Sequence, residues 1–142
     1  MEQQPVLFAE KIVDIRFSEV DSMGIVWHGS YTLYFEDARE EFGRKYGLEY
    51  LFIYSQGYYA PLVELKFNYK RPLQYQKKAR VVIKYRPTEA AKLVFDYEIY
   101  DVESGQLAVT GHSVQVFMDL EKQLVLTCPD FFIEWKKKNG VP

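Results

Sequence analysis

Apolar and polar positions alternate along most of this chain, and one stretch departs from the alternation. From Tyr31 onward, apolar or small side chains recur at Tyr34, Phe35, Ala38, Phe42 and Tyr46. That three-and-four spacing marks one stripe of a helix. Asp37, Arg39, Glu40, Glu41, Arg44 and Lys45 lie mostly off the stripe and read as a solvated face. Ser30 stands where an N-cap hydroxyl would accept an early backbone N–H. Gly47 stands where a left-handed residue would end the helix. At about 1.5 Å per residue, the span from Tyr31 to Tyr46 predicts a helix of about 24 Å.

The remaining segments read mainly as strands. Residues 1 to 9 read as a short arm. Lys11 to Phe17 alternates, with Val13, Ile15 and Phe17 on one side. Leu48 to Tyr54 has no period that decides between a short helix and an irregular segment, and Gln56-Gly57 punctuates the chain. Val63, Leu65, Phe67 and Tyr69 alternate with polar neighbours as in a half-buried strand, which Pro72 bends or leaves at an edge. Ala79, Val81, Ile83 and Tyr85 form the inner side of the next strand, closed by Pro87. Leu93, Phe95, Tyr97 and Ile99 form that of the following one. Glu103-Ser104-Gly105 reads as a hairpin turn. The mixed pattern of Leu107 to Met118 predicts a strand buried on both faces, and Leu124 to Leu126 a short continuation after a turn at Asp119 to Lys122. Pro129 would begin, and Asp130 cap, a terminal helix over Phe131 to Lys138.

This order is strand, long helix, then four longer strands in hairpin succession. It implies an α+β architecture with a mostly antiparallel sheet. Neither an internal repeat nor a shift in composition divides the chain, so residues 1–142 read as one domain. One helix covers one sheet face. The other face, or a sheet edge, calls for a partner, which points to an oligomer.

Composition narrows the function classes. The 142 residues carry a formal charge of −2, which gives no general basic field for nucleic acid. Apolar residues make up 48% and charged residues 27%, as in a water-soluble protein. The aromatic fraction of 17% suits a core and also apolar interfaces or ligand tunnels. Cys128 is the sole cysteine, so an intrachain disulfide is excluded, in keeping with a reducing cytoplasm. The first ten residues lack the apolar run of a signal peptide, and no stretch has the length of a membrane span. Two His and one Cys show no metal-ligand spacing, so no metal is expected. The serines lack a Gly-x-Ser-x-Gly context and no phosphate-cradling glycine loop is present, which argues against a serine hydrolase and against ATP.

The chemistry concentrates before the helix. Asp21 lies in a short loop with Gly24, His28 and Gly29, and the loop feeds the helix N-terminus. A carboxylate facing the backbone N–H groups of a helix start can supply a base or nucleophile beside an oxyanion site. For His28 three roles stand open: its backbone N–H as oxyanion donor, its ring as substrate contact, or its ring as a structural hydrogen bonder. Gly24 permits a backbone conformation that side chains block. Trp27 and Tyr31 read equally as acyl-pocket lining and as core. His112, in a strand without an acidic neighbour in sequence, reads as structural. Ser-Met-Gly24-Ile-Val26-Trp-His28-Gly-Ser-Tyr31 after Asp21, followed by Tyr34-Phe35-Glu36-Asp-Ala38-Arg39, resembles the motif of the 4-hydroxybenzoyl-CoA thioesterase family, and most of all its small bacterial acyl-CoA thioesterases.

That resemblance covers about residues 17 to 39. It implies the hotdog fold, a long helix wrapped by a curved antiparallel sheet. It implies hydrolysis of an acyl-CoA thioester by water without a redox cofactor. Asp21 falls on the catalytic acid, as base or nucleophile, and His28 on the backbone donor that polarises the thioester carbonyl. Glu36 is a reserve acid, since some hotdog thioesterases carry the carboxylate on the helix. The resemblance further implies side-by-side homodimers or dimers of dimers, that is, a homotetramer, with the site near the subunit boundary. Gln76-Lys77 departs from the Gly-Asp turn of many relatives. Coenzyme A needs basic neighbours for its phosphates, and Lys84 and Arg86 are the candidates. Two rivals remain: a module that binds an acyl-CoA or acyl carrier without turnover, and a hydroxyacyl-thioester dehydratase. The latter wants a second His/acid pair, and none is visible along the sequence.

Overall fold

A computed structural model describes residues 7–142. Helix α1 (Tyr31–Tyr46) buries Tyr31, Tyr34, Phe35, Ala38 and Phe42, the stripe that its spacing predicts. It ends at Gly47, whose φ of 76° and ψ of 32° are left-handed, and whose N–H donates to Gly43 O. Its start differs from expectation. Ser30 is itself helical and makes no side-chain cap, because a 3-10 turn at His28–Ser30 winds directly into α1. The first free N–H groups therefore belong to that turn rather than to Tyr31.

The sheet wraps this helix. Its strands are β1 (Phe8–Asp14), β2 (Tyr58–Tyr59), β3 (Leu62–Tyr69), β4 (Lys78–Tyr85), β5 (Lys92–Asp101), β6 (Leu107–Asp119) and β7 (Leu124–Val125). The spatial order is β1-β4-β5-β6, after which β6 pairs with β3 and with the short β2 and β7, all antiparallel. Hairpins join β4 to β5 and β5 to β6. The expected succession fails at β3, which lies beside β6 and not beside β4. Short helix α2 (Tyr50–Ser55) settles the ambiguous segment, and α3 (Asp130–Lys138) closes the chain with Pro129 at the cap and Asp130 already inside, the reverse of the expected order. β1 begins at Phe8 and stops at Asp14, so Phe17 falls in a 3-10 turn and is 76% exposed. Residues 1–6 of the expected arm lie outside the described residues.

Period-two alternation sets the inner side of β4 and β5, although Val82 and Val94 on the other side are buried as well. Val81, Ile83, Tyr85, Leu93, Phe95, Tyr97 and Ile99 are buried under α1, while Lys84, Arg86, Asp96 and Glu98 take the outer face. β6 follows the rule over most of its length: Val109, Ser113, Gln115 and Phe117 are buried and the residues on its other side are half-covered, so the expected burial on both faces holds only where Ala108 adjoins Val109. Helix and sheet come close at Gly111. Phe35 stacks between Phe67 and Tyr97, with centroids at 4.9 and 4.1 Å, and a Cβ on Gly111 would stand 2.3 Å from its ring. A long helix held in a curled antiparallel sheet is the hotdog arrangement, and the α+β expectation holds.

Candidate active site

The Asp21 loop is a tight backbone turn. Asp21 N–H donates to Ile25 O at 2.9 Å, Gly24 N–H to Asp21 O at 3.0 Å, and Val20 pairs with Val26 across the stem. Gly24 supplies the left-handed conformation, with φ 75°, and open space surrounds the position where its Cβ would be. The Asp21 carboxylate accepts the Met23 N–H through Oδ1 at 2.9 Å. That single bond orients the group and leaves its other oxygen available.

A second segment braces the turn. Val26 N–H donates to Leu73 O at 2.8 Å, and Tyr75 N–H to Gly24 O at 2.9 Å. Gln76, at the departure from the Gly-Asp turn, adopts φ 68° and so takes the conformation a glycine would hold.

From the turn the chain passes to the start of α1 in a few residues. Trp27 N–H donates to Glu19 O at 2.9 Å. His28 then opens the 3-10 turn, and among the described residues its N–H has no backbone acceptor. The helix dipole and this free donor favour negative charge at one point. Tyr69, from β3, fixes the turn by donating its hydroxyl to His28 O at 3.2 Å. Sequence reasoning did not single out Tyr69: the contact spans 41 positions, and an alternating strand gives no signal for it.

The other expected site residues divide into two groups. Trp27 is 51% exposed and its ring lies 4.6 Å from that of His28, so both form an open ledge beside the turn. Phe17, Met23 and Tyr75 are exposed too, with Met23 in the Asp21 turn, Tyr75 N–H on Gly24 O and Phe17 edge-on to Tyr75. Tyr31 is 3% exposed and packs on Tyr34 and Tyr69, so it belongs to the core. Burial raises its hydroxyl pKa.

Lys84 and Arg86 are not brought to the loop. The loop adjoins the Lys78 end of β4, where Ile15 N–H donates to Lys77 O. Lys84 stands six residues along, about 20 Å at the rise of a strand. It pairs with Glu98 at 2.6 Å, and Arg86 grips Asp96 with two bonds of 2.9 Å. Lys84 has its pKa raised chiefly by the hydrogen bond to Glu98, and Glu98 has its own lowered chiefly by the same bond.

Asp96 also meets His112 Nδ1 at 3.0 Å, and Glu64 lies 3.6 Å from Nε2. A His/acid pair therefore exists, across strands where sequence proximity could not show it. It lies on the outer face, because its neighbour Gly111 meets Phe35 on the inner one.

A groove of about 1070 Å³ runs along α1 from Glu36 to Arg44, bounded by α2 and by Leu62 at the start of β3. Asp21, Gly24, Trp27, His28 and Tyr31 are absent from its lining. Glu36 borders it, paired with Arg39 at 2.6 Å. Among the described residues no group of His, Cys, Asp and Glu is arranged to hold a metal, and no helix is long and apolar enough to cross a membrane.

The hotdog scaffold that carries this turn has counterparts among known proteins. The model of the thioesterase-like superfamily matches residues 15–136. The chain belongs to that superfamily. Its class of enzyme is accordingly a thioesterase. It is 28% identical over 127 residues to YneP of Bacillus subtilis, provisionally named an acyl-CoA thioesterase, covering 89% of this chain and 91% of that protein. The solved DHNA-CoA thioesterase of Staphylococcus aureus superposes with a TM-score of 0.81 at 28% identity, covering 92% of this chain and 90% of the other. The 1,4-dihydroxy-2-naphthoyl-CoA thioesterase Slr0204 of Synechocystis shares the fold with a TM-score of 0.74 at 21% identity, over 86% of this chain and 89% of its own.

Proposed function

We propose that this superfamily member is an acyl-CoA thioesterase of the 4-hydroxybenzoyl-CoA thioesterase type, acting in the cytoplasm. The observation that carries the reading is one tight turn, closed by Val20 on Val26, that holds the Asp21 carboxylate by a single bond from Met23 N–H and leads within a few residues to the unpaired His28 N–H at the head of α1. Relatives and fold neighbours named for coenzyme A thioesters support the choice of substrate class.

In this reading the thioester oxygen accepts the His28 N–H, and the charge that develops on it is stabilised by that donor and the helix dipole. Asp21 either takes a proton from water as the water attacks the carbonyl carbon, or attacks that carbon itself to form an anhydride that water then opens. The carbon–sulfur bond breaks, and coenzyme A leaves as thiolate and takes up a proton. The exposed Trp27–His28 ledge and Gly24 stand beside the acyl thioester.

The reading includes a homodimer or dimer of dimers. β3 pairs with β6 on one edge only, and its Leu62, Val63 and Tyr69 are exposed. Pairing two copies along that edge would cover it, and would bring the groove beside Leu62 to the subunit boundary.

Release of free thiol from a panel of acyl-CoAs tests the reaction. Hydrolysis supports the thioesterase, binding without turnover supports the carrier module, and an enoyl product supports the dehydratase.

A further inference from the structure

The stem of the Asp21 loop carries a second acid that the proposed chemistry does not use. Glu19 is 8% exposed, although it is a carboxylate two residues from Asp21. Its Oε1 accepts the Arg16 N–H at 2.8 Å and the Tyr34 hydroxyl at 3.1 Å. Its backbone oxygen accepts the Trp27 N–H at 2.9 Å. Tyr34 is 1% exposed, in the first turn of α1, with its ring edge-on to Tyr31. Burial, reinforced by the Glu19 charge, raises the hydroxyl pKa, so the group stays a proton donor. One residue thus ties together the segment entering the loop, the segment leaving it, and the helix whose start bears the free donor.

A buried carboxylate is costly unless hydrogen-bonded, and an apolar pair of like volume often holds a core as well or better. Cohesion alone is therefore a weak reason for an acid at this point. Geometry is a stronger one. The turn bearing Asp21 and the head of α1 are distinct segments of the chain, and the proposed reaction needs them in fixed relation: a misplacement of about 1 Å can cost about 10²-fold in rate.

We propose that Glu19 and Tyr34 are positioning residues that set the Asp21 carboxylate against the His28 N–H. The proposal rests on the thioesterase reading of Asp21. Neither residue touches the substrate; both act through the loop.

The test compares Tyr34→Phe with Tyr97→Phe. Each variant loses one buried hydroxyl contact, the second being to Ser113 at 2.8 Å in the core under β5 and β6. Turnover of benzoyl-CoA and hexanoyl-CoA is measured beside amide hydrogen exchange at Met23, Gly24 and Trp27. Tyr34→Phe is expected to lower kcat about tenfold with KM within about twofold, and to speed exchange in the loop. Tyr97→Phe should leave kcat within about twofold and loop exchange unchanged. Glu19→Gln, whose amide oxygen still accepts a hydrogen bond, should fall between wild type and Tyr34→Phe, and carries the comparison if Tyr34→Phe does not fold. Equal losses in the two tyrosine variants, a full kcat in Tyr34→Phe, or unchanged loop exchange overturns the proposal. Asp21→Asn separates the two levels. An inactive Asp21→Asn beside an unimpaired Tyr34→Phe overturns the positioning role alone. A fully active Asp21→Asn overturns the reading of Asp21 and this role with it.

Discussion

The head of α1 and the outer face of the sheet both carry charged groups and a histidine, yet their wiring is opposite. On the outer face nearly every charge has a partner: Lys84 with Glu98, Arg86 and His112 with Asp96, Lys66 with Glu64, and Arg80 with Glu10. In the turn that leads into α1, two groups each retain an unused capacity: one oxygen of Asp21 and one N–H of His28. Pairs on an exposed face neutralise one another and contribute little to stability, about 0–1 kcal/mol each. Groups held by backbone bonds with spare valence can act on a substrate without prior rearrangement. Charge density by itself is a poor guide to a site. Fixed geometry with an unmet donor or acceptor is a better one.

The largest expected effect breaks the loop. Asp21→Asn keeps the shape and removes the charge, and kcat on an acyl-CoA should fall by at least about 10²-fold with Kd nearly unchanged. Glu36→Gln, made in parallel, should stay close to wild type, because Glu36 is already paired with Arg39. A dead Glu36→Gln beside an active Asp21→Asn would transfer the acid to the helix.

Gly24→Ala perturbs the same loop more gently. The added methyl meets nothing within 4 Å, so the cost is backbone strain at φ 75° alone. Thermal unfolding should report a loss of about 1–2 kcal/mol. kcat should fall several-fold through displacement of Asp21, and a kcat equal to wild type would show that the turn tolerates the change.

Changes on the outer face should hardly touch catalysis. Replacing Lys84 and Arg86 together by Ala should alter KM for acyl-CoA by less than about twofold, since both are paired and distant from the loop. A KM that rises for acyl-CoA but not for a short thioester without the nucleotide would make them phosphate holders and erase the contrast drawn above.

The smallest effect separates the outer-face ion pairs by pH. The Glu98 carboxyl is held below its usual range, chiefly by Lys84. A depressed folded pKa contributes stability that is present above the unfolded value, about 4.3, and is lost as pH falls through the folded value. Lys84→Met should therefore lower Tm slightly at pH 7, by about a degree or two, and by less at pH 3. A difference of the same size at both pH values would show that the loss comes from packing, not charge.

How much of this was legible follows from what periodicity encodes. The stripe of α1 named the residues that are buried, and the inner positions of β4 and β5 followed their alternation, because each pattern is set by local geometry and one apolar face. Gly47 ended its helix for an equally local reason. Ser30 was misread as a cap because nothing local distinguishes a cap from a residue already wound into a preceding 3-10 turn. Phe17 kept the phase of a strand that had ended three residues earlier.

The sequence by itself determined the face each element buries, where the turns fall, and which short stretch holds the acid and the donor. Tertiary structure decided the partners. β3 joined β6 because strand neighbours are chosen by closure of the whole sheet, which alternation does not specify. The same closure put Asp96 against His112, Tyr69 on the His28 carbonyl, and Glu19 under Tyr34. Each of those contacts joins residues far apart in the chain, and side-chain chemistry states what a residue can bond to, while only the assembled fold brings one partner within reach.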